Sequence, residues 1–175
     1  MSEQTNPPNA WERINLGSER LKLFFIKHLD RIYTAKIHLT HKLPLLAEEA
    51  RFKDLRNAIF DTVGNVEKQL ARLQLIYTLL DSDPSKGSIH GLSGLIDDAF
   101  EAINEQKGEA ELQDLSIIFY LQNIESVEMA SFQILQMAAV RLHNPHINKL
   151  LKENYEEAKS DRTLLLLISS KYIVS

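Results

Sequence analysis

The chain has 175 residues, room for one domain and hardly two, and its 44% hydrophobic and 25% charged residues are ordinary for a globular protein. Twenty Lys and Arg against 24 Asp and Glu give a formal net charge of −4, which argues against a nucleic-acid binder relying on bulk positive charge. The absence of cysteine excludes disulfides, thiol nucleophiles, Cys-ligated zinc, iron–sulfur clusters and thiolate haem.

The first segment, 1–17, is polar, carries Pro7 and Pro8 and lacks the apolar stretch of a secretory signal, so it reads as a tail. Helical period dominates thereafter, and strand-like alternation is hardly seen. The first helix is expected over 18–50, with Pro44 bending or breaking it. The second is expected over 52–81 and is followed by the linker Ser82-Asp83-Pro84-Ser85-Lys86-Gly87. A shorter helix is expected over 88–106, with Gly91 and Gly94 allowing close packing or a loose start. A third long helix should run over 110–143. Asn144 and Pro145 then supply an N-cap and a first helical residue for the last helix, which should end near Tyr172 and leave 173–175 as a tail.

Four helices of ~30 residues would each be ~45 Å long. The fold class this implies is all-α: a bundle of four long helices plus a shorter crossover helix, in one domain over 18–172. The most apolar run, Leu164 to Ile168, is far shorter than the ~18 residues a spanning helix needs. No membrane partner is expected, and a cytoplasmic location follows as the default. That run and Leu23 to Ile26 are apolar on all sides, so the shorter helix or a second subunit in a homodimer should cover them.

Writing each long helix in 3-4 spacing exposes polar residues where a bundle wants leucine. The third long helix reads Ile118, Leu121, Glu125, Glu128, Phe132, Leu135. The first reads Phe25, Leu29, Ile32, Lys36, Leu39, Leu43. The second gives Ile59, Thr62, Val66, Gln69, Leu73 with Asn65 beside the stripe, and the last gives Leu151, Asn154, Ala158, Asp161, Leu165 with Glu157 one position off. All four helices change character near their middles, which predicts a single polar layer across the interior. A buried ionised carboxylate is costly unless paired or metal-bound, so Glu125 and Glu128 require a partner. The bland alternative places Lys36 and Asp161 at the rim, with the lysine stem snorkelling to water.

At these residues the chain resembles the YciE/YciF family of ferritin-like proteins, over about 21–167. The resemblance rests on Leu29-Asp30-Arg31-Ile32-Tyr33-Thr34-Ala35, Glu67-Lys68-Gln69-Leu70-Ala71-Arg72-Leu73, Gly91-Leu92-Ser93-Gly94-Leu95-Ile96, Gln122-Asn123-Ile124-Glu125-Ser126-Val127-Glu128-Met129-Ala130 and Leu150-Leu151-Lys152-Glu153. It implies a ferritin-like bundle, an interior two-metal site and a general association with stress responses. The ligand positions depart from the family pattern. A glutamate of the first helix is Lys36, a glutamate of the second matches Asn65, and in the last helix Ala158 and Arg162 stand at acidic positions. Gln69, Glu125, Glu128 and Glu157 remain, and Asp161 lies one residue from the lost acid.

A dinuclear site needs about four carboxylates with imidazoles. No Glu-x-x-His lies on a stripe, and His38 with His41, and His143 with His146, read as surface histidines. The sequence therefore predicts a non-catalytic, metal-free protein with no cofactor. Its polar network would consist of Lys36, Thr62, Asn65, Gln69, Glu125, Glu128, Glu157 and Asp161. One alternative keeps iron or manganese at Glu125, Glu128, Glu157 and Asp161, with weak oxidase or storage activity. Another is a protein-interaction module. Glycoside hydrolysis, a serine triad and a phosphate loop find no support in the cleft, histidine and glycine patterns such chemistries need.

Overall fold

A computed structural model describes residues 16–85 and 92–174. Five α-helices account for most of them: α1 (Ser18–Glu49), α2 (Lys53–Leu79), α3 (Leu92–Asn104), α4 (Ala110–Ala139) and α5 (Pro145–Ile173). A 3₁₀ turn, Val140–Leu142, follows α4. Among the described residues there is no strand.

Pro44 does not break α1. The helix continues to Glu49 because Leu43, Leu46 and Ala47 bury one face on both sides of the proline. That burial outweighs the hydrogen bond a proline nitrogen cannot make. The third long helix ends earlier than its periodicity suggests, because His143 adopts a left-handed backbone conformation (φ 54°). Asn144 then caps α5, its side-chain oxygen accepting from the His146 amide at 3.0 Å. The start predicted for the shorter helix, 88–91, lies outside the described residues. At Gly94 an added Cβ would meet nothing within 4 Å, so close packing does not account for that glycine.

Cross-helix bonds fix the helix directions. Tyr77 to Asp30 and Gln74 to Tyr33 set α2 antiparallel to α1. Gln113 to Glu49 and Lys36 to Glu128 set α4 antiparallel to α1. Asn65 to Asp161 and Arg72 to Asn154 set α5 antiparallel to α2. Helices α2 and α4 are therefore parallel, and the chain must cross the length of the bundle between them. Helix α3 lies on that crossover and packs on α1 and α4 with Ile96, Ala99, Phe100 and Ile103 buried.

The apolar interior is divided into two cores. One holds Leu39, Leu43, Leu55, Ile59, Ile117, Leu121 and Leu165 with the buried face of α3. The other holds Phe25, Leu29, Ile32, Leu73, Ile76, Phe132, Ile147 and Leu151. The apolar run on α5 is covered on one side only. Leu165 and Ile168 are buried, whereas Leu166 and Leu167 remain 52% and 64% exposed, and the face of α3 is spent on α1 and α4.

Two buried acids away from the middle tie distant segments together. Asp114, 1% exposed, accepts from the backbone amides of Arg51 and Phe52, the latter at 2.5 Å. It thus caps the turn between α1 and α2 from the first turns of α4. Asp30 accepts the Tyr77 hydroxyl at 2.6 Å and the Ser85 amide at 3.2 Å. Asp114→Ala, which strands those two amides, should cost about 1–3 kcal/mol in urea unfolding, with circular dichroism still showing native helix before the transition.

Candidate functional site

Between the two apolar cores lies a layer of polar side chains contributed by all four long helices. Lys36 is fully buried (0% exposed), and its Nζ donates to Glu128 Oε2 at 2.6 Å. The ammonium also sits 5.7 Å from the centre of the Phe132 ring, close enough for a cation–π attraction. The lysine stem is held by the α1 stripe, in register with Ile32 and Leu39, so it is aimed across the bundle at α4 and not along the surface. Among the described residues this is the pair that leaves an ammonium and a carboxylate with almost no access to water.

Glu125 stands one helical turn from Glu128 and is 3% exposed. Burial pushes its carboxyl well above the usual range, the Glu128 charge and then the Asp161 charge add to this, and Lys36 opposes it. Its buried position thus favours the protonated form of Glu125. Asp161 on α5 accepts from Asn65 Nδ2 at 2.9 Å. Burial raises its pKa to about 6, although the Asn65 hydrogen bond and Lys36 pull it down. Thr62 and Gln69 are buried on α2, at 5% and 1% exposure. Among the described residues four buried side-chain atoms have no hydrogen-bond partner: Gln69 Oε1, Glu125 Oε2, Glu128 Oε1 and Asn154 Nδ2.

Glu157 does not join this layer. It forms a two-bonded pair with Arg72, both bonds 2.7 Å, and Arg72 also reaches Glu153 and Asn154 Oδ1. Arg72 and Asn154 were absent from the predicted network. Asn154 lies on the α5 stripe, but Arg72 lies outside the α2 stripe and reaches inward by the length of its side chain. Arg162 is likewise committed locally, its Nε donating to Ser126 Oγ at 2.7 Å. His38 is more than a surface residue: it is half-buried and bonds Asp97 of α3 at 2.6 Å. His41, His143 and His146 are exposed.

This donor set does not fit a ferritin-type pair of metal ions. The Lys36 amine is bonded to one of the two α4 acids, burial favours the protonated form of the other, Glu157 is paired with Arg72, and among the described residues no imidazole faces the layer. Among the described residues no group of three or more His, Asp or Glu side chains is arranged to hold a metal ion.

An all-α bundle with a crossover between its second and third long helices, and with acids projecting inward from facing helices, defines a ferritin-like bundle. The chain belongs to the family described as "Domain of unknown function (DUF892)", matched over residues 20–173, to which the YciE and YciF proteins belong. It is 30% identical to Protein YciF of Escherichia coli (strain K12) over 137 residues, 78% of this chain and 82% of that protein. The crystal structure of the E. coli stress protein YciF superposes with a TM-score of 0.82 at 26% identity, covering 89% of this chain and 98% of that one. YcfI of Rhodopseudomonas palustris, described as "a putative structural protein", gives a TM-score of 0.77 at 27% identity, covering 89% and 96%. Among the described residues no helix is long and apolar enough to cross a membrane.

Two outcomes follow. Glu128→Leu leaves the Lys36 ammonium buried without its carboxylate and should destabilise the fold by about 3–5 kcal/mol. The double variant Lys36→Met/Glu128→Leu should recover most of that loss in chemical denaturation. The pH dependence has a definite sign. Unfolded, Asp161 and Glu125 release their protons near 3.8 and 4.5, but the folded chain holds them longer. Their contribution is thus fully present below those values. It falls as pH rises through the window, which closes at about 6 for Asp161. Glu125→Gln, neutral at every pH, should flatten this decline and be at least as stable as the native chain at pH 8, measured as midpoints across pH 4–8.

Proposed function

We propose that this protein is a non-catalytic, metal-free member of its family, with a structural or stress-related role, in which an interior ion pair stands where relatives of ferritin type would bind metal. The observation that carries this reading is the 2.6 Å contact between the buried Lys36 ammonium and Glu128. A positive charge fixed there repels a divalent cation and already satisfies the carboxylate such a cation would need. The descriptions of E. coli YciF as a stress protein and of the R. palustris relative as a structural one support a role that is not enzymatic. Self-association as a homodimer is part of the same proposal, supported by the exposed Leu166 and Leu167 on α5.

Metal content decides the central point. Protein purified from cells grown with added iron and manganese should carry far less than one equivalent of either metal by elemental analysis. Retention of about one ion per chain through exhaustive dialysis, lost in a Glu125→Gln/Asp161→Asn variant, would overturn the proposal in favour of a partial metal site.

A further inference from the structure

The polar layer meets water differently on its two sides. Toward α1 and α4 its ion pair is dry, with the Lys36 and Glu128 side chains 0% and 3% exposed. Along the α2–α5 seam stand Arg72, Glu157 and Glu153, at 21%, 23% and 41%. Every bonded partner of Arg72 among the described residues lies on α5: Glu153 at 3.1 Å, Asn154 Oδ1 at 3.2 Å and Glu157 through two bonds of 2.7 Å. Among the described residues, two of the unpartnered buried atoms belong to neighbours of this clamp. Asn154 is fully buried and its Nδ2 has no partner, and Gln69, one turn before Arg72 on α2, is buried with its Oε1 likewise unmet.

We propose that the Arg72 clamp is a gate on the α2–α5 seam, and that its opening admits water to the polar layer. All of its bonds run from one α2 side chain to one helix, so a swing of that side chain frees the seam without moving a backbone. The bonds it gives up are partly hydrated, so water competes for them and salt screens them. What it uncovers gains in return. The Asn154 amide nitrogen and the Gln69 amide oxygen, each unpaired while the gate is closed, can bond to the entering water. Closed and open arrangements thus trade one set of polar bonds for another, which is the condition for a two-position element. The Lys36–Glu128 pair cannot act this way, since parting it leaves two charges buried. Exposed ion pairs weaken as ionic strength rises, so the gate responds to salt: more often open in concentrated salt, closed in dilute. Access to the layer is separate from its metal content, which elemental analysis reads and thiol labelling does not.

The chain has no cysteine, so a single introduced thiol reports on one place. Gln69→Cys puts it beside the clamp. In a separate variant, Ile59→Cys puts it in the apolar core that holds Leu55 and Ile117. Each full-length variant is treated under native conditions with methyl methanethiosulfonate, a small uncharged thiol reagent. The position-69 thiol should react several-fold faster when Arg72→Met is added, a change that keeps the apolar stem and removes the bonds. Glu157→Gln should act in the same direction. High salt should speed the reaction several-fold with Arg72 present and hardly at all with Arg72→Met. The position-59 thiol should follow none of these changes. Ala158→Cys, one turn beyond Asn154 on α5, serves if Gln69→Cys folds poorly. The gate fails if Arg72→Met, or high salt with Arg72 present, leaves the layer thiol as slow as before. It fails equally if the thiols at both places accelerate together, because Arg72 would then merely stabilise the whole bundle.

Discussion

A charged amine held in a dry interior must be answered by something, and the rest of this bundle is arranged around the answer. Lys36 reaches across from α1 to Glu128, so α1 and α4 cannot slide past each other by a residue without parting an ion pair that water does not reach. The apolar cores above and below set the spacing of the helices, and the pair between them adds a contact that a shift of register would break. The upward push on the Glu125 carboxyl belongs to the same balance: burial and the neighbouring Glu128 charge both disfavour a second ionised carboxylate there.

On the proposed metal-free reading, the chemistry expected of a ferritin-like interior would be lost by subtraction and addition together. Losing one acid would weaken a metal site. Replacing it by an amine converts the surviving acid into half of a different structure. The Arg72 cluster repeats the logic near the surface, where Glu157 and Glu153 share one guanidinium. Of the acids named as alternative ligands, Glu128 and Glu157 are each bonded to a resident cation, burial favours the protonated form of Glu125, and Asp161 accepts from the Asn65 amide.

Much of this was legible in the sequence because burial repeats at helical spacing. Lys36, Glu125, Glu128 and Asp161 occupy stripe positions, and stripe positions point inward whatever residue they carry. The unread parts depend on reach and on distant partners. Arg72 lies outside the α2 stripe and arrives only because its side chain is long, and so it takes Glu157 out of the expected network. Asp114 in the first turns of α4 reads as an ordinary acid near a helix start. Its bonds go to amides more than sixty positions earlier, a pairing no local pattern encodes. Pro44 marks the opposite failure: a strong local signal for a break is overruled by the apolar face that continues beneath it.

The bonds from Asp114 bear on how the molecule is put together. The corner between α1 and α2 borrows its acceptor from the other helical hairpin. Until the halves have docked, the amides of Arg51 and Phe52 can bond only to solvent. Their exchange with deuterium therefore gauges the marriage of the two hairpins, and a corner that looks like a local turn is a latch between halves of the fold.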